Sequence, residues 1–281
     1  MRLRGVRRSN NVEDRRRSGG GIVLGGGIGG LGLIALLAFG YFTGIDVTPI
    51  LEQASGGGSV SESREPNAEE ERAADFTTRV LATTENVWTE IFAEDLGREY
   101  RPPVLVMFSR QTSSPCGNAS GATGPFYCPI DGKAYLDTDF FATLSQELGA
   151  TGDFAAAYVV AHEVAHHVQN ELGILGQVAD ARDAAAQTEA NALTVRLELQ
   201  ADCLSGVWAS RVEDLLEPGD MAEALNAARM IGDDRLQRRA GMVPQPHSFT
   251  HGTSDQREGW FAAGYDSGDI RACDTFAELR P

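Results

Sequence analysis

The segment from Gly21 to Tyr41, GIVLGGGIGGLGLIALLAFGY, contains no charged residue. At about 1.5 Å of helical rise each, its roughly 21 residues reach about 30 Å, the thickness of a bilayer hydrocarbon core. So glycine-rich a run, without a polar face or caps, has little reason to form a helix in water, and it is expected to be one transmembrane helix over residues 21–42. A cleaved signal peptide is the competing reading, but the run exceeds the usual apolar region and no clear A-x-A site follows. A chain with such a segment is divided into a part before it and a part after it.

The part before it is short and basic. Arg2, Arg4, Arg7, Arg8, Arg15, Arg16 and Arg17 stand against only Glu13 and Asp14, so residues 1–20 are expected to form a disordered tail. By the positive-inside rule this tail stays in the cytoplasm and the rest of the chain lies outside. The expected location is therefore the cytoplasmic membrane, single-pass, with the N-terminus inside. Residues 43–74 carry Ser55-Gly56-Gly57-Gly58-Ser59 and the acidic stretch Glu62 to Glu71. They bury too little apolar surface to fold and read as a flexible linker. One folded domain is then expected over residues 75–281.

Charge excludes one class of function. The 281 residues hold 24 Lys+Arg against 40 Asp+Glu, a formal net charge of −16, which argues against a nucleic-acid partner. Periodicity supplies the elements of the domain. Phe76, Val80, Leu81, Val87, Trp88, Ile91 and Phe92 recur at helical spacing over 75–96, and Val104–Phe108 and Lys133–Asp137 read as strands. Residues 109–131 read as a loop, and 139–148 as a short helix. Helices are expected over 154–172 with Asp153 as N-cap, over 187–211, over 220–231, and from about 255 behind Thr253 or Ser254. The fold class is α+β, mostly helical with a small sheet.

The chemistry is concentrated in two of these helices. His162-Glu163-Val164-Ala165-His166 is an H-E-x-x-H sequence inside a predicted helix, so both imidazoles project from one face one turn apart and can reach one Zn²⁺. Glu163, beside the first ligand, can address the attacking water. A third ligand is offered by Glu198 in Glu198-Leu199-Gln200-Ala201-Asp202, with Asp202 one turn on, placed to accept the free ring N–H of a ligand histidine. Two solvated acids on an exposed helix face would be the bland alternative, but Leu197, Leu199, Ala201 and Cys203 make that environment too apolar. His167, about 100° around the helix from His166, is expected to be structural.

The chain resembles a bacterial family of membrane-tethered neutral zinc metallopeptidases. The resemblance runs from about residue 75 to the end. It is carried by Gly124 to Pro129 with Tyr135-Leu136-Asp137, by His162 to Gln169, by Glu198 to Cys203, and by Ser248 to Ser254 with Gln256 and Arg257. It implies a zincin-like fold, one zinc ion per chain and a peptide or protein substrate. In that mechanism zinc held by His162, His166 and Glu198 activates water, Glu163 is the general base, and a later segment supplies an oxyanion donor. His251 is the candidate donor, with Tyr265 and Tyr135 behind it. The strand 133–137 is expected to be the edge on which an extended peptide adds. A non-catalytic zincin-fold binding module is the alternative function.

Cys116, Cys128, Cys203 and Cys273, in a domain expected outside the cytoplasm, suggest two disulfides. Three pairings are open. Cys116–Cys128 would close a short loop, and Cys203–Cys273 would tie the Glu198 helix to the C-terminus.

Overall fold

The computed structural model describes residues 1–17, 65–120, 124–146 and 148–277. The expected transmembrane helix over 21–42 lies outside the described residues, and among those no helix is long and apolar enough to cross a membrane.

The first long helix, α1 (Ala68–Glu94), begins earlier than the apolar periodicity suggests. Its start is set by a capping box: Asn67 accepts hydrogen bonds from the backbone of Glu69 and Glu70, and the Glu70 carboxylate accepts from the Asn67 N–H. That satisfies orphan donors of the first turn and draws residues 68–74 out of the expected linker and into the helix.

A four-stranded sheet follows, in the order β1 (Val12–Asp14), β2 (Val104–Phe108), β6 (Lys133–Asp137), β5 (Phe126–Cys128). β1, β2 and β6 run parallel and β5 is antiparallel to β6. The central strands β2 and β6 are buried along nearly their whole length on both faces, as parallel strands are. Two expectations are corrected here. Residues 109–131 are not all loop, because Gln111–Ser114 (β3) and Gly117–Ser120 (β4) pair as an antiparallel hairpin. The strand 133–137 is not an edge: β2 and β5 flank it, and β5 is the edge on that side.

The basic tail is also corrected. Far from being disordered, residues 1–17 lie on the domain: β1 pairs in register with β2, Met1 and Leu3 enter the core, and Arg16 is buried. Arg7 and Arg8 find carboxylates on α1, Glu85 and Asp75, that are far away in sequence, a relation no local reading contains.

The helical layer comprises α2 (Phe140–Gln146), α3 (Asp153–Glu171), α4 (Ile174–Ala184), α5 (Gln187–Arg211), α6 (Asp220–Met230), α7 (Asp233–Arg239) and α8 (Ser254–Ser267). Asp153 lies in the first turn of α3 rather than at its cap, which Gly152 occupies without a side-chain hydrogen bond. Helix α3 is apolar almost all round and fills the centre of the core, packed on α1, α5 and α6. A helix so enclosed can present polar groups only where the fold leaves an opening.

Helices α5 and α8 approach so closely that a Cβ on Gly206 would sit 2.1 Å from the Phe261 carbonyl oxygen, and one on Gly264 1.9 Å from that of Cys203. Only glycine fits at this crossing. The Cys203–Cys273 disulfide locks the same corner, and Cys116–Cys128 closes the hairpin region onto β5. Both of the named cysteine pairs are formed.

Candidate metal centre

Helix α3 sets His162 and His166 on one face and α5 brings Glu198 across to them. His162 Nε2 lies 3.1 Å from Glu198 Oε2 and His166 Nε2 3.4 Å from Glu198 Oε1. One ligand atom from each of the three residues falls within 4.8 Å of the others. All three line one wall of a cleft of about 990 Å³, with Glu163 and His251 beside them. Two imidazoles and a carboxylate opening on a cleft are a donor set that would suit a divalent ion such as zinc.

Each histidine is oriented from behind by a different device. His162 Nδ1 lies 2.9 Å from Asp202 Oδ1. Asp202, wholly buried, also accepts from Tyr158 Oη at 2.5 Å and takes a bidentate pair from Arg257 at 2.8 and 2.9 Å. His166 Nδ1 instead faces the buried amide of Gln169, 2.8 Å from Oε1, while Gln169 Nε2 donates to the Leu197 carbonyl and to Gln200 Oε1. The structure brings Asp202 beside His162 Nδ1, next to one of the histidines from which the sequence reading expected it to accept. The Gln169 and Tyr158 roles were not anticipated, although a helical signal exists: Tyr158 stands one turn before His162, and Gln169 three residues after His166.

The electrostatics favour a cation at this place. Burial opposes protonation of His162, but the Asp202 charge and the hydrogen bonds to Asp202 and Glu198 outweigh it and push its pKa up to about 10. His166 is raised too, burial being overcome by the Glu198 carboxylate. Glu198 is held well below the usual carboxylate range despite its burial, by the two histidines. Burial raises Glu163, only partly offset by the neighbouring imidazoles, which moves a carboxylate toward the range of a working base.

His251 reaches the cleft from the segment before α8, half exposed. Asp233, the first residue of α7, fixes it: Oδ1 lies 3.1 Å from His251 Nδ1, while Oδ2 accepts the backbone N–H groups of Thr250, His251 and Gly252 at 2.7, 2.6 and 3.0 Å. Nε2 is then the ring nitrogen not engaged by Asp233. The runners-up lie elsewhere. Tyr135 stacks on Phe126 and donates to Asp131 Oδ2 at 2.6 Å, and neither it nor Tyr265 lines the cleft. His167 is structural as expected, with Nε2 2.6 Å from the Arg101 carbonyl and Nδ1 3.0 Å from Tyr127 Oη.

A second acidic group, Asp153, Asp220 and Glu223, could also hold a cation. Two of its members, Asp153 and Asp220, are paired with the Met1 ammonium together with Glu217.

A family model described as putative neutral zinc metallopeptidase matches residues 1–276. The uncharacterized protein YpfJ of Escherichia coli K12 is 48% identical over 294 residues, an alignment covering 99% of each chain. The uncharacterized protein Rv2575 of Mycobacterium tuberculosis H37Rv is 43% identical over 212 residues, covering 71% of this chain and 70% of that one. No solved structure matches the chain.

Proposed function

Because the chain belongs to the putative neutral zinc metallopeptidase family, we propose that it is a zinc-dependent endopeptidase of zincin-like design, held at the cytoplasmic membrane through residues 21–42. The observation that carries this reading is the convergence of His162, His166 and Glu198 on one cleft wall, with the Glu163 carboxylate in the same cleft and outside the ligand set. A purely structural metal site has no use for such a carboxylate.

Zinc, when bound by those three residues, supplies a Lewis acid that polarises the scissile carbonyl. The remaining steps belong to the chain's own groups. Glu163, its pKa raised by burial, takes a proton from the attacking water and delivers it to the leaving amine. His251, braced through Nδ1 by Asp233, directs its other nitrogen to the oxyanion of the tetrahedral intermediate. Peptide binding falls to the flanks. Phe126, Phe140, Val159 and Leu197 make the cleft largely apolar, and edge strand β5 lies along it, offering backbone groups to an extended substrate.

The test is hydrolysis of an unstructured protein by wild type and Glu163→Gln, with zinc content measured by mass spectrometry. Both should bind one zinc, and the substitution should lower cleavage by about 10²–10⁴-fold. Equal rates, or no cleavage by wild type across a broad peptide library, would sink the endopeptidase reading.

A further inference from the structure

The N-terminal arm and the apolar run that follows it make incompatible demands. If residues 21–42 crossed a membrane once, residues 1–17 and the domain would lie in different compartments. In the structure they share one sheet.

The pairing is extensive. Val12, Glu13 and Asp14 register with Leu105, Val106 and Met107, extended by Leu105 N to Asn11 O at 2.9 Å and Arg15 N to Met107 O at 2.7 Å. Glu85 of α1, 4% exposed, accepts from Arg7 Nη2 at 2.6 Å, Ser9 Oγ at 2.5 Å and Asn11 Nδ2 at 2.7 Å, all of them arm donors. A carboxylate is not left in such a place without partners, so α1 is built to receive this segment. Arg16, 7% exposed, pairs with Asp14 and donates to the Glu70 carbonyl at 2.9 Å. At the end of the arm, Arg17 Nη2 lies 3.2 Å from Glu65 Oε2, so the described chain resumes beside the point where it breaks off.

We infer that the arm and the metal-binding domain occupy the same side of the membrane. The positive-inside rule counts arginines as free charge. Here Arg7, Arg8 and Arg17 pair with Glu85, Asp75 and Glu65, Arg15 donates to Thr112 Oγ1 and the Ser113 carbonyl, and Arg16 reaches the Glu70 carbonyl and Glu71, all of them beyond the apolar run in sequence. Their folded-state use is to seat the arm, and it requires one compartment. This inference rests on the proposed membrane association through residues 21–42 and not on peptidase activity.

The native cysteines are all disulfide-bonded, which permits a clean labelling experiment on the full chain in its membrane. Single cysteines are introduced at the exposed positions Arg4→Cys in the arm and Val243→Cys in the domain, and a membrane-impermeant maleimide is applied to intact and permeabilised cells. The expected result is the same ratio of intact to permeabilised labelling at both sites. Labelling of one site in intact cells with protection of the other overturns the inference. A second variant, Arg8→Cys with Asp75→Cys, should be joined within the chain by a short bis-maleimide in native membranes, giving a faster-migrating band. A cross-link formed only after detergent solubilisation overturns it equally.

Discussion

His162 and His166, the two histidines proposed as ligands, sit one turn apart on α3, yet their backs face opposite kinds of chemistry. Behind His162 lies a buried ionic cluster of Asp202, Arg257 and Tyr158; behind His166 lies a neutral amide relay of Gln169, Gln200 and the Leu197 carbonyl. Both hold a ring in one orientation. Only the ionic side also sets a charge, since Asp202 favours imidazolium at His162, whereas the amide of Gln169 carries no net charge. Orientation and charge are thus supplied by different neighbours, and the two can be separated by substitution.

The largest effect is expected on the ionic side. Asp202→Leu strands the Arg257 guanidinium in the core and should destabilise the domain by about 3–5 kcal/mol, measured by denaturant unfolding. Asp202→Leu with Arg257→Met should recover much of that stability while zinc affinity stays about 10–100-fold down. Recovery of both would show that Asp202 does not act on the ligand. His251 provides a third case, a histidine braced by a carboxylate and lining the cleft, for which we propose a role toward the substrate. His251→Ala should lower kcat by about 10²–10³-fold with one zinc retained, and an unchanged kcat would remove it from the mechanism.

On the neutral side, Gln169→Leu leaves the His166 N–H and the Gln200 and Leu197 acceptors without their partner. It should cost about 1–3 kcal/mol and loosen zinc by up to about 100-fold, read by competition with a chromophoric chelator. The finest distinction is in pH. With its pKa at about 10, metal-free His162 carries a proton at neutral pH that zinc must expel. The His162 proton should therefore make apparent zinc affinity rise by up to about tenfold per pH unit above about 7, the slope easing as pH nears 10. Asp202→Asn should flatten that slope, because His162 then titrates nearer its ordinary value; Gln169→Leu should leave it. Zinc titrations at several pH values check the pair, and equal slopes in both variants would erase the contrast.

Much of this centre is readable along the chain because a helix converts sequence spacing into direction. His162, Glu163 and His166 share a helix, as do Glu198 and Asp202, and 3.6 residues per turn fixes what each pair faces without any tertiary knowledge. Apolar periodicity likewise places α5 and the strands β2 and β6. The second neighbours are less legible. Tyr158 and Gln169 are at helical spacing from the ligands, but so are many buried residues, and the spacing does not tell a hydrogen-bond partner from core packing.

What remained hidden in each case is a contact between segments far apart in sequence. Asp233 and His251 meet across a loop, Arg257 reaches Asp202 from another helix, and β5 rather than β6 forms the sheet edge because strand order does not follow chain order. The arm is the clearest instance. Its arginines and the uncharged run after it read locally as a tail and an anchor, and local charge counting cannot anticipate Glu85 and Asp75 waiting on α1. The sequence alone specified which face of each of two helices carries candidate metal ligands, since short-range geometry is enough for that. The tertiary structure assigned the seventeen N-terminal residues to the domain, since burial and ion pairing depend on which distant groups come within a few ångströms.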